Sequence, residues 1–166
     1  MKKIKNDKTK KEFHYTNPEM VTDLMKLIPF ENGDEVLDTG SGKNKVWFDE
    51  TRKYGVFGFE CEIEDGCNFL EWERKVDWVI GNPPFDIGWK FTEKAVEVAN
   101  KGIAFLGTIK FLNQFTPKRL EFMKNNKFEL QHIHIISDSR WYGRCYFLIF
   151  EKKKGVLSWK LETYKN

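Results

Sequence analysis

The sequence predicts a single α/β domain built on a mostly parallel sheet with helices on both faces. Three observations predict it. Strand-like and helix-like segments alternate from residue 18 onward, and helical crossovers of this kind return the chain so that neighbouring strands run parallel. The 166 residues are 40% hydrophobic and 16% aromatic, which suits one well-filled core and not a disordered chain. Finally, two stiff or glycine-rich turns each follow a short apolar run, the place where sheets of this class bind ligands.

Each element can be justified in order. "PEMVTDLMKLI" opens with a proline suited to a first helical turn, and Met20, Leu24, Leu27 and Ile28 share one face. "DEVLD" reads as a strand, "GSGKN" as a turn and "KVWFDETRK" as a short helix. "YGVFGFE" is a second strand, and a weaker one is expected around "CNFLEW". "VDWVI" is a strand, "KFTEKAVEVANK" a helix and "GIAFLGTI" a strand. "PKRLEFMKNN" is a helix opened by another proline. "FELQHIHII" and "RCYFLIFEKK" follow each other with only the polar turn "SDSRWYG" between them, so they are expected to pair antiparallel at one end of the sheet.

Composition narrows the function. No apolar run approaches the roughly 18–20 residues of a membrane span, and the lysines of "MKKIKNDKTKK" precede no apolar stretch, so neither a membrane partner nor a secretory signal is expected. Cys61, Cys67 and Cys145 have no zinc-like spacing and are expected as reduced thiols in a cytoplasmic protein. His14, His132 and His134 lack further ligands to complete a metal set, so no metal is expected. Residues 1–11 hold six lysines and one aspartate, while the rest of the chain carries 22 basic against 24 acidic residues. The body is therefore no basic clamp, although the arm can add non-specific attraction to phosphates.

The chemistry sits in three segments. After the first strand comes "DTGSGKN", in which Gly40 and Gly42 permit a tight turn and close approach of a ligand to the backbone. Lys43 lacks the spacing of a phosphate loop. "GFE" places Glu60 at the end of the second strand, where a carboxylate can hold a ribose diol; Glu62 is a neighbouring alternative. "DWVIGNPPFDIGW" joins a buried strand to two prolines, which fix φ and remove two donors. The Asn82 side-chain oxygen and the Pro83 carbonyl can each accept a hydrogen from one exocyclic –NH2 group. Phe85 offers a face on which a planar base can stack, worth about 1–3 kcal/mol.

"VLDTGSGKN", "GFE" and "DWVIGNPPF", in this order, resemble the S-adenosylmethionine-dependent methyltransferases of exocyclic amines, chiefly the N6-adenine DNA methyltransferases with gamma-class motif order. The preceding "YTNPEMVTDLM" is similar to that family's Thr-Pro-like segment. The resemblance spans roughly residues 14–150 and implies a Rossmann-like, seven-stranded sheet with its last strand antiparallel. The lysine-rich start reads as a basic flexible arm, 1–12, ahead of a single methyltransferase-like domain, 13–166. It implies S-adenosylmethionine as cofactor, with Tyr15 and Thr16 near its methionine end. Asp38, Gly40 and Gly42 would line the amino-acid portion, Glu60 the ribose, and Asn68 the adenine amine, in the place of a family aspartate. Asn82, Pro83, Pro84 and Phe85 would hold the target base. Thr39 stands where the family commonly has proline, and Lys43 and Asn44 are bulkier than its usual residues.

A nucleic-acid partner is implied, DNA ahead of RNA. The chain has no room for a separate recognition domain, so specificity is expected from a partner protein or from the arm and the loops "KFLNQFTPKR" and "SDSRWYGR". Trp89, Arg140, Trp141, Tyr142 and Arg144 are the candidate substrate contacts. Two other readings compete. One is a non-catalytic protein of the same fold that binds nucleic acid or a partner protein; the other is an RNA or protein-glutamine methyltransferase.

Overall fold

A computed structural model describes residues 16–137 and 143–152. Helix α1 (Pro18–Met25) precedes strand β1 (Glu35–Asp38), helix α2 (Val46–Thr51) and strand β2 (Phe57–Glu60). Strand β3 (Val76–Gly81), helix α3 (Gly88–Val98) and strand β4 (Ala99–Thr108) follow. Then come the short helix α4 (Ile109–Leu112), helix α5 (Pro117–Asn125) and strands β5 (Phe128–Ser137) and β6 (Arg144–Lys152). Proline opens both α1 and α5, and the Asn17 side chain caps α1 by accepting the Glu19 N–H at 3.0 Å.

The sheet order is β2-β1-β3-β4-β6-β5. β2, β1, β3 and β4 pair in parallel, whereas β6 pairs antiparallel with both β4 and β5. Among the described residues the sheet therefore has six strands, not the expected seven. The segment expected as a weak strand forms a 3-10 turn at Phe69–Glu71 instead. Asn68 explains the difference: its side chain accepts the Leu70 N–H at 3.1 Å and so closes a turn that an extended chain cannot make. Phe69 and Leu70 then enter the core from that turn.

Helices cover both faces. α1 and α2 bring Val21, Leu24, Met25 and Trp47 to one side, against Trp78, Ile80 and Phe147. α3 and α5 bring Phe91, Ala95 and Met123 to the other, against Val79, Ile103 and Leu148. β3 is buried along most of its length because it lies inside both layers. Among the described residues no helix is long and apolar enough to cross a membrane.

The connections place the site. From β1 the chain crosses to β2 on one side, and β3 lies on the other. The strand order thus reverses at β1 and opens a crevice beyond the carboxyl ends of β1 and β3. The glycine turn and "NPPF" begin at those two ends.

Candidate functional site

The end of β1 and the end of β3 touch. Asp38 is in register with Glu60 of β2 on one side and Ile80 of β3 on the other. The Thr39 N–H donates to the Ile80 carbonyl at 3.1 Å, and its hydroxyl reaches the same oxygen at 3.3 Å. Thr39 therefore ties the turn after β1 to the end of β3. Gly81 has φ +134, and a Cβ there would lie 3.1 Å from both Asp38 Oδ1 and Thr39 Oγ1. Only glycine lets β3 leave the sheet this close to Asp38.

The glycine turn is organised by acidic groups. Asp38 is fully buried; its Oδ1 accepts the Gly40 N–H at 3.3 Å. Burial raises its pKa from the ordinary 3.8 to about 7, because an ion in this position loses its hydration. Gly42 turns with φ +59 and donates its N–H to Glu62 Oε2 at 2.6 Å. Glu62 is thereby engaged in shaping the turn, which leaves Glu60 as the carboxylate at the strand end. Lys43 and Asn44 are exposed, so their bulk stays outside the crevice.

Glu60 has a neighbour that the sequence pattern did not reveal. Lys45 holds a left-handed backbone, φ 45, at the start of α2, and its Nζ lies 2.5 Å from Glu60 Oε1. The hydrogen bond to Glu60 holds the ammonium above its ordinary pKa. Glu60 Oε2 is buried without a partner.

Cys61 and Cys67 are joined as a disulfide, with Cα atoms 5.2 Å apart, where reduced thiols were expected. The chain leaves β2, turns through Gly66 in the left-handed region and returns, which brings the two cysteines together. The pairing removes the redox reason for expecting a cytoplasmic setting. It also brings Asn68 back beside the end of β2. There the Asn68 amide donates to Glu71 Oε1 at 2.9 Å while its oxygen serves the Leu70 N–H, so its side chain is occupied by its own turn.

"NPPF" ends β3 with Asn82 half-buried, Pro83 buried, Pro84 exposed and Phe85 half-buried. The Pro84 carbonyl accepts the Ile87 N–H at 3.2 Å, closing a 3-10 turn at Phe85–Ile87. Asn82 Oδ1 is buried and has no hydrogen-bond partner. Buried polar side-chain atoms are nearly always paired, so orphans mark places where something else supplies the partner. Asp38 Oδ2, Ser41 Oγ, Glu60 Oε2, Asn82 Oδ1 and Thr108 Oγ1 are all such orphans. They make up five of the eight among the described residues, and all five lie at the carboxyl ends of β1–β4 or in the turn after β1. Buried polar atoms without partners are thus gathered at the carboxyl ends of the parallel strands.

Not every expected residue joins this cluster. Trp89 was expected to touch substrate, but it is 7% exposed and packs in the core. The Arg119 guanidinium covers its ring at 4.8 Å and Phe115 meets it edge-on at 5.9 Å. Thr16 lies just ahead of α1, and among the described residues no hydrogen bond joins it to either loop. Arg144 opens β6 next to the end of β4 and is exposed. Tyr15, His14, the basic arm, Arg140, Trp141 and Tyr142 lie outside the described residues.

No protein-family model matches the sequence, and no curated protein matches it. Solved structures do match the fold. TrmN from Thermus thermophilus superposes with TM-score 0.60 at 17% identity, covering 82% of this chain and 49% of that one. This chain thus spans about half the length of TrmN. Magnesium protoporphyrin IX methyltransferase (ChlM) from Synechocystis PCC 6803, with bound SAH, gives TM-score 0.58 at 12% identity, covering 82% and 81%. A methyltransferase from Pyrococcus furiosus gives 0.55 at 16%, covering 82% and 83%. At these identities the likeness is one of fold: a Rossmann-like α/β sheet of the methyltransferase type.

Proposed function

We propose that this chain is an S-adenosylmethionine-dependent methyltransferase acting on an exocyclic amine, adenine N6 in DNA. The observation that carries the proposal is the buried, unpartnered Asn82 Oδ1, which opens an NPPF turn beside the unpartnered Asp38 Oδ2 and Glu60 Oε2. This donor set fits the cofactor. Asp38 would take the ammonium of its amino-acid end, and Glu60 the ribose hydroxyls. ChlM, which shares the fold, was solved both with SAH and with SAM.

When bound, S-adenosylmethionine supplies an electrophilic methyl group on a sulfonium. The chain's own residues position the nucleophile. Asn82 Oδ1 and the Pro83 carbonyl accept the two amine hydrogens, which draws the nitrogen towards sp³ character and points its lone pair at the methyl carbon. Among the described residues no hydrogen bond reaches the Pro83 carbonyl, which leaves it available for this. Phe85 stacks on the base, which must be unpaired or flipped to reach it. Pro83 and Pro84 hold these groups before the substrate arrives, so little order is lost at the moment of reaction. With S-adenosylmethionine bound, methyl transfer would form the nitrogen–carbon bond as the sulfur–carbon bond broke, and the surplus proton would leave the nitrogen for solvent.

A second reading is a non-catalytic protein of this fold, and the Lys45–Glu60 pair favours it, since it occupies one oxygen of the ribose carboxylate. Lys45→Ala separates the two. In an enzyme the substitution frees Glu60 Oε1 and tightens S-adenosylmethionine by up to about fivefold, the value of a partly exposed pair. Calorimetric titration of both proteins checks this. Weaker binding in the variant would mean that Lys45 holds Glu60 in place. Absence of binding in wild type and variant alike would defeat the enzyme reading.

A further inference from the structure

The segment from Phe85 to Trp89 is held at both ends by one side chain that no sequence motif marked. Gln114, just beyond α4, accepts the Trp89 N–H on its Oε1 at 2.8 Å and donates from Nε2 to the Phe85 carbonyl. The same Nε2 lies 3.3 Å from the Lys110 carbonyl. α3 begins after Ile87 with no side-chain cap of its own, so the Trp89 N–H would otherwise be an orphan helix donor. Gln114 is itself braced. Its carbonyl accepts from Arg119 Nη1 at 2.9 Å, and that guanidinium lies over Trp89. The adjoining Phe115 stacks on Phe150 with centroids 5.3 Å apart. An amide is needed here, since one atom must accept and the other donate within one planar group.

We infer that Gln114 is a positioning residue for base methylation: it fixes the Phe85 carbonyl and the start of α3, and through them the Phe85 ring and the Asn82 oxygen. The inference rests on the methyltransferase reading. Gln114 touches no substrate; it acts by holding the residues that do. A preorganised loop displaced by about 1 Å can lose about a hundredfold in rate.

Two variants of the full chain test this. Gln114→Met removes both bonds. Gln114→Glu keeps the acceptor for Trp89 but removes the donor to Phe85. Both are expected to leave S-adenosylmethionine affinity unchanged and to lower kcat by about tenfold or more. Gln114→Glu sets a carboxylate oxygen against the Phe85 and Lys110 carbonyls and should melt below Gln114→Met, while both variants lose rate alike, so that rate follows the Phe85 bond and not stability. An oligonucleotide carrying 2-aminopurine at the target position brightens when that base leaves the strand's stack and is quenched again on an aromatic ring, so its fluorescence should be lower in the wild-type complex than in either variant's, reporting a loosened platform in the variants. Wild-type kcat in both variants, or a kcat that tracks the melting midpoint, would overturn the positioning role. If wild type itself methylates no nucleic acid, the underlying reading fails and the catalytic role with it. Amide hydrogen exchange then still decides the clamp separately, since it should quicken at Ile87–Trp89 in Gln114→Met, and unchanged exchange would reject it.

Discussion

Asn82→Ala is expected to bind S-adenosylmethionine as wild type does and to lose about a hundredfold or more in methyl transfer, the scale set by deletion of one preorganised polar contact to a reacting group. The two halves of the result have separate causes. Asn82 Oδ1 is a buried acceptor without a partner at the end of β3, and its proposed partner is an amine hydrogen of the substrate. The cofactor is proposed to rest on Asp38, Gly40, Gly42 and Glu60, one and two strands away. Removing Asn82 Oδ1 also removes an unmet polar atom, so the folded protein should lose no stability for want of that hydrogen bond. Single-turnover transfer of labelled methyl, paired with calorimetric titration of the cofactor, checks both halves. Undiminished transfer would refute the role given to Asn82.

Asp38→Asn should have the other large effect, and its sign depends on pH. Burial raises the Asp38 carboxyl to about 7 from 3.8. The folded chain therefore keeps a proton between about pH 4 and pH 7 that the unfolded chain has released. Stability from this group is fully present below about pH 4 and is lost as pH rises through 7, by about 4 kcal/mol over the whole window. A cationic ligand needs the ionised form. Below pH 7 its binding must expel the proton, so affinity for S-adenosylmethionine should fall about tenfold per pH unit on acidification. Asp38→Asn should abolish both dependences. It should be more stable than wild type at about pH 8 and bind the cofactor about 10–100-fold more weakly there, the worth of a charged hydrogen bond. Melting curves and titrations at about pH 5 and about pH 8 check this. Affinity of the wild type that does not change with pH would contradict the assignment of Asp38.

Much of the scaffold was legible because its signals are local. Proline at the start of α1 and α5, apolar periodicity in α1, and the unbroken apolar runs of β3 and β4 each identify an element from a few adjacent residues. The turns after β1 and β3 were legible for the same reason. "GSG" and "NPPF" carry their backbone requirements in their own composition, and the sheet brings them together at β1 and β3.

What was not legible depends on side-chain partners that local apolar pattern does not name, some near in the chain and some far along it. Asn68 to Trp72 looks extended by its apolar pair, yet a side-chain cap bends it into a turn. Cys61 and Cys67 are six residues apart and meet only because Gly66 reverses the chain. Trp89 stands beside the motif in sequence, but Arg119 and Phe115, both beyond the end of β4, decide that it is buried. Gln114 reaches Phe85 across 29 residues and carries no motif of its own. The pairing of β6 between β4 and β5 likewise follows from three strands at once, and only its antiparallel sense could be read from the short turn between the last two segments.

The most direct test of the central claim is transfer of labelled methyl from S-adenosylmethionine to separate pools of single-stranded DNA, duplex DNA, RNA and protein, with the product identified. Label confined to a DNA pool and recovered as N6-methyladenine is the expected result. Label in RNA alone would keep the chemistry and correct the substrate. Label in no pool, despite measurable cofactor binding, would contradict an enzyme that acts by itself, and label in protein alone would contradict a turn built to hold a base.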